Sequence, residues 1–168
     1  MLSSEARTPA ADLLTEIVLL VFRVNGQLLE SGDRLVAPLQ LTSARWQILG
    51  AIALAESHRS APHLAARMGM SRQGAQKQLD LLLADGLVKT LSNPGHARSP
   101  LYALTRKGRS LYTATEDLQA AWTNRLARGL SIAQLETARH LLKRVSQKLL
   151  PDNDHRRHSR RRPHAKAG

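Results

Sequence analysis

Residues 60–79 read SAPHLAARMGMSRQGAQKQL. Ser60 followed by Pro62 opens a short helix that runs to about Met68. Gly69 ends it, and Ser71 caps a second helix that continues to about Asp85, where Gly86 stops it. On a helix turning about 100° per residue, Arg72, Gln73, Gln76, Lys77 and Asp80 fall within an arc of roughly 140°. Ala75, Leu79, Leu82 and Leu83 occupy another side and pack inward. Two helices, a glycine-containing turn and a donor-rich outer face make a helix-turn-helix. The chemistry of such a face is geometric. A helix fits the major groove, where Arg or Lys pairs with guanine and Gln with adenine. Gly74 adds a position without a side chain near the helix start, which permits close backbone approach although it costs up to about 1 kcal/mol against Ala.

A polar helix face is by itself a solvated surface. Its neighbourhood changes the reading. Residues 59–109 carry nine basic and two acidic side chains, whereas residues 1–58 carry four basic and six acidic ones. The whole chain has a net charge of +12 over 168 residues. A basic patch next to such a helix suits a polyanion, most simply nucleic acid. Charge alone leaves a basic architectural or RNA-binding protein with little sequence specificity as the alternative.

Directly after the second helix, LVKTL (87–91) and PLYAL (100–104) have strand character, and SNPGHARS between them holds a Pro-Gly turn. The pair predicts a basic hairpin. Upstream, Thr8-Pro9 starts a helix in which Leu13, Leu14, Ile17, Val18, Val21, Val24 and Leu28 recur at helical spacing. Asn25-Gly26 and Ser31-Gly32 weaken that helix, and Pro38 ends it. Thr42 caps a further helix containing Trp46, Ile48, Leu49 and Ile52. Downstream, Thr105 begins a long helix through about residue 128, Gly129 closes it, and Ser131 with Gln134 forms a capping box for a last amphipathic helix. From Pro151 the chain is polar, basic and aperiodic, which predicts disorder.

Several functions lack their residues. There is no cysteine, so disulfides and thiolate metal sites are absent. Seven histidines show no tight ligand spacing and no carboxylate cluster, so no metal site and no cofactor is expected. No nucleophile elbow, phosphate loop or paired-carboxylate motif appears, so an enzyme is not expected. Without an apolar run of about 18 residues or a signal-peptide layout, the chain reads as cytoplasmic, with no membrane partner.

The order of these pieces resembles the multiple-antibiotic-resistance-regulator (MarR) winged-helix family. LTSARWQIL (41–49) is similar to its second helix, and LAARMGMSRQGAQKQLDLLLADGLVKT (64–90) to its helix-turn-helix and wing entry. LYALTRKGRSL (101–111) resembles the exit strand and start of the long dimer helix, and GLSIAQLETARHLLKRV (129–145) the final helix. The resemblance implies a mainly α fold with a small β-hairpin wing, flanked by helices that form a dimerisation domain. Residues 1–40 and 106–150 then supply the homodimer interface, residues 41–105 the winged helix-turn-helix, and residues 151–168 a basic tail. The first helix and the last two are also too apolar for a monomer's surface. It implies a regulator of transcription, a ligand-responsive repressor that binds a palindromic operator in double-stranded DNA. Contacts to DNA fall on Ser71, Arg72, Gln73, Gly74, Gln76 and Lys77, and on the wing at His96 and Arg98. The family's wing carries Asp-x-Arg; here the triplet is His96-Ala97-Arg98, so the arginine is kept and its acidic partner is replaced. The resemblance further implies a pocket for an aromatic or phenolic effector beside Trp46 and near Lys77.

Overall fold

The computed structural model describes residues 6–150. The basic tail lies outside the described residues. The first helix, α1, spans Pro9–Val36, with Thr8 as its cap and proline in its first turn. It runs unbroken through both glycines that weaken its sequence pattern. Gly32 is buried where α1 meets the next helix, and a Cβ there would lie 2.5 Å from Ser43 Oγ. That glycine serves close helix packing, so the sequence signal for a break was a signal for contact.

A 3-10 turn (Ala37–Leu39) leads to α2, Ser43–Ala53. Its cap is doubled: Thr42 Oγ1 accepts from Arg45 N at 3.3 Å, and Asp33 of α1 accepts from Ser43 N at 2.5 Å. Free N–H groups at a helix start thus find side-chain acceptors. The helix-turn-helix follows as α3 (Ala61–Met68) and α4 (Arg72–Ala84). The hairpin is β2 (Val88–Leu91) and β3 (Leu101–Leu104), paired antiparallel with Val88 opposite Leu104 and Leu91 opposite Leu101.

A further strand, β1 (Arg59–Ser60), pairs antiparallel with β3 and completes a sheet of order β1-β3-β2. The sequence reading contained only the hairpin. Two residues carry no periodicity, and only their pairing with Leu101 and Tyr102, some forty positions away, defines them as a strand. The core lies among α2, α3, α4 and the sheet, with Ile48, Leu49, Leu64, Leu79 and Leu82 fully buried.

The long helix α5, Arg106–Leu126, starts against the end of α4. Thr105 N donates to Leu87 O at 3.1 Å, its hydroxyl donates to Gly86 O at 2.7 Å and accepts from Gly108 N at 3.0 Å. Further along, Trp122 Nε1 donates to Ser31 Oγ of α1 at 3.2 Å. The chain divides into two compact units, one ending at Arg125 and one beginning at Leu126. In the second, α6 (Ile132–Lys148) opens on the capping box predicted from Ser131 and Gln134. Among the described residues no helix is long and apolar enough to cross a membrane.

Candidate nucleic-acid interface

The turn between α3 and α4 is fixed at both ends. Gly69 takes φ +63°, a left-handed conformation that glycine adopts without steric penalty. Its successor Met70 donates to Ala65 O at 3.0 Å and packs on the core, which is a Schellman closure. Ser71 then caps α4, its hydroxyl accepting from Gly74 N at 3.0 Å. A Cβ added at Gly74 would meet only that same hydroxyl, at 3.0 Å, so the position is otherwise open.

These caps set the rotation of α4. Ala75, Leu79 and Leu82 are fully buried, and Arg72, Gln73, Gln76, Lys77 and Asp80 are exposed. The structure therefore brings together on one outer face the side chains that the sequence placed there. Gln73, Gln76, Lys77, Asp80 and Leu81 line an open depression of about 440 Å³. Gln76 is held by two bonds: its Nε2 donates to Asp80 Oδ1 at 2.8 Å and to Tyr102 OH of β3 at 3.2 Å. The first is an i,i+4 pair that spacing alone permits. The second joins residues 26 positions apart, and no local pattern announces it.

The far end of α4 is anchored by ionic and backbone contacts. Asp85 pairs with Arg45 of α2, and its carbonyl accepts from Lys107 Nζ of α5 at 2.9 Å. Arg45 is largely buried, and its Nε has no hydrogen-bond partner among the described residues. Removing Asp85 would thus leave a desolvated guanidinium, which is more costly than losing a surface pair.

The wing turn is closed by Asn93, whose Nδ2 donates to Ser99 O at 2.6 Å. His96 and Arg98 are exposed beyond that closure. Among the described residues no ion pair holds Arg98. His96 also lines, with His58, Arg59 and His63, a depression of about 410 Å³ at the wing base. His63 Nδ1 lies 2.8 Å from Ser60 Oγ. Among the described residues no group of three or more His, Asp or Glu side chains is arranged to hold a metal.

Trp46 is half-buried, against the core, and borders a separate depression of about 220 Å³ with Gly50, Leu54, Arg67, Met68 and Tyr112. Burial, reinforced by the nearby Glu116 charge, pushes the Tyr112 phenol above its ordinary value, so it stays protonated as a donor. Lys77 does not line this space; it stands on the outer face of α4. Within the single chain Trp46 and Lys77 thus line different depressions, because Lys77 sits beside Gln76 on the exposed side of α4 while Leu79 and Leu82 turn inward.

The MarR family profile matches residues 39–99, which span α2, the helix-turn-helix and the wing turn. An uncharacterised protein of Mycobacterium tuberculosis is 34% identical over 135 residues, covering 80% of this chain and 93% of its own. A crystal structure of a MarR family transcription regulator superposes with TM-score 0.66 at 27% identity, covering 84% of this chain and 92% of its own. This chain belongs to the MarR family. Its members regulate transcription and are not enzymes, and the winged helix of this regulator is a DNA-binding fold. The same fold occurs in the repressor CouR bound to a 23-mer DNA duplex (TM-score 0.67, 24% identity, covering 84% of this chain and 99% of CouR). It occurs again in CouR of Rhodococcus jostii RHA1 bound to p-coumaroyl-CoA (TM-score 0.69, 24% identity, covering 77% and 90%).

Proposed function

We propose that this MarR-family regulator is a homodimeric repressor that reads a palindromic operator and releases it when a small aromatic ligand binds. The observation that carries the DNA reading is the outer face of α4. Arg72, Gln73, Gln76 and Lys77 are exposed together on a helix whose start is fixed by Ser71 and whose other side buries Ala75, Leu79 and Leu82. In this reading α4 enters the major groove, Ser71 and Gly74 lie at its close-approach end, and Arg98 with His96 meets the adjoining backbone or minor groove. Two such faces related by two-fold symmetry read two half-sites of one palindrome.

The dimer is supported by what the single chain leaves in solvent. Leu13, Leu20 and Phe22 of α1 are 59%, 52% and 70% exposed, and Leu135, Leu141 and Leu142 of α6 are exposed too. Rows of large apolar side chains of this kind mark surfaces that another chain covers. The effector reading rests on the space beside Trp46, at about 220 Å³. A cavity of about 150 Å³ suffices for benzene. The walls of this one are mostly apolar, and Arg67 supplies a cation for a carboxylate or phenolate.

Selection of bound sequences from random DNA tests the central statement. A two-fold-symmetric motif that Arg72→Ala relaxes at defined positions is the expected result, with about 1 to 3 kcal/mol lost at the selected site. Binding without any symmetric preference would instead make this a nonspecific DNA or RNA binder.

A further inference from the structure

We propose that Asp80 and Tyr102 turn Gln76 into an acceptor-only reader, which selects an amino-bearing base, adenine or cytosine, and does not distinguish between them. The inference rests on the reading of α4 as the major-groove helix and specifies what one of its side chains can recognise.

A glutamine amide has two N–H donors and one carbonyl acceptor. Both donors of Gln76 are engaged within the protein, at 2.8 Å to Asp80 Oδ1 and 3.2 Å to Tyr102 OH. The orientation of the amide is dictated by chemistry. An ionised carboxylate only accepts, so the side of the amide that faces Asp80 must be NH₂. A flipped amide would set its carbonyl oxygen against the carboxylate. Tyr102 is 3% exposed, and its ring is fixed in the core by β3, so its hydroxyl does not swing away to follow the amide. Oε1 is left without a partner among the described residues, beside the depression on the outer face of α4.

The usual glutamine–adenine pairing is bidentate: the amide donates to N7 and accepts from N6. Gln76 as held here lacks the free donor for N7. Its Oε1 still accepts from an exocyclic amino group, which adenine presents at N6 and cytosine at N4. Guanine and thymine present carbonyl oxygens in the same region and are repelled. Asp80 and Tyr102 are therefore positioning residues, and together they exchange an adenine-specific contact for an amino-versus-keto contact.

Selection from random DNA on the full chain, run with wild type, Gln76→Ala, Asp80→Ala and Tyr102→Phe, tests this. In the wild type one symmetric pair of positions should accept adenine or cytosine, with less than about threefold difference between them, and should reject guanine and thymine. Asp80→Ala should free the amide and narrow that position to adenine, with cytosine weakened about tenfold, the scale of one good bidentate contact. Asp80 is exposed, so this variant keeps the fold. Tyr102→Phe should shift the preference in the same direction. Gln76→Ala should accept all four bases there. A wild type that already demands adenine, unchanged in Asp80→Ala, overturns the inference while leaving α4 as the reader. If Gln76→Ala changes nothing while Arg72→Ala relaxes its own position, Gln76 is not a reader and the inference fails alone. If neither alters any position, the proposed function fails with it.

Discussion

Helices α1 and α4 are both amphipathic in sequence, yet they leave opposite faces uncovered. In α4 the apolar residues Ala75, Leu79 and Leu82 are fully buried and the polar ones face out. In α1 only Gly32 and Val36, near its end, are buried, and Leu13, Leu19 and Phe22 stand in solvent at 59%, 63% and 70%. A helix whose apolar face is already satisfied has affinity to spare only for polar or charged partners. A helix with uncovered leucines gains from every square ångström another apolar surface removes from water, at about 25 cal/mol per Å². One chain thus displays two unfilled surfaces of different chemistry, and they call for different partners.

The largest effect expected from breaking this contrast lies in α1. If α1 lies in the proposed dimer interface, Leu20→Asp should convert the dimer to monomer, because a carboxylate buried without a partner costs about 3 to 5 kcal/mol, and it is introduced in each protomer. Sedimentation over a concentration series reads this directly. A dimer constant unchanged by the substitution would mean that α1 is covered by something other than a second copy.

Next comes a pair of glycines that separates the two regions by sign. A Cβ at Gly108 would meet Leu87 O at 1.9 Å, a backbone atom that cannot step aside. Gly108→Ala should therefore destabilise the winged lobe by about 3 kcal/mol, seen as a lower Tm. Gly26 in the middle of α1 has nothing within 4 Å of such a Cβ. Gly26→Ala should stabilise by about 0.5 to 1 kcal/mol through helix propensity. A loss of stability there would place the partner's chain against Gly26.

The smallest effects belong to the wing. Arg98→Ala should weaken operator binding by about 1.5 to 3 kcal/mol at every pH, because the guanidinium is always charged. His96→Ala should weaken it less, because a single imidazole N–H offers phosphate fewer donors than the guanidinium fork. Titration of the selected DNA site with each variant reads both effects. Wild-type affinity in Arg98→Ala would show that the wing turn stays off the DNA.

What was legible in the sequence was what short range decides. The Ser71 cap, the Gly69 turn and the Ser131–Gln134 box are each settled within about four residues, and all three stand in the structure. So does the outward face of α4, because helix rotation follows from which leucines must be buried. The pairing of β1 with β3, the Arg45–Asp85 ion pair and the Gln76–Tyr102 bond were not legible. Each joins positions separated by 26 to 43 residues, and nothing at either end marks the other.

The contact between Gly108 and the Leu87 carbonyl leaves no slack at the root of α5. Together with the Thr105 bonds it welds that root to the corner where α4 ends and the hairpin begins. A helix of 21 residues extends about 30 Å, and so works as a stiff lever with its fulcrum at that corner. Tilting it by about 5° carries its far end through roughly 3 Å over such a length. Small adjustments at one end of the lever are therefore exchanged for angular ones at the other, without any joint between them to absorb the motion.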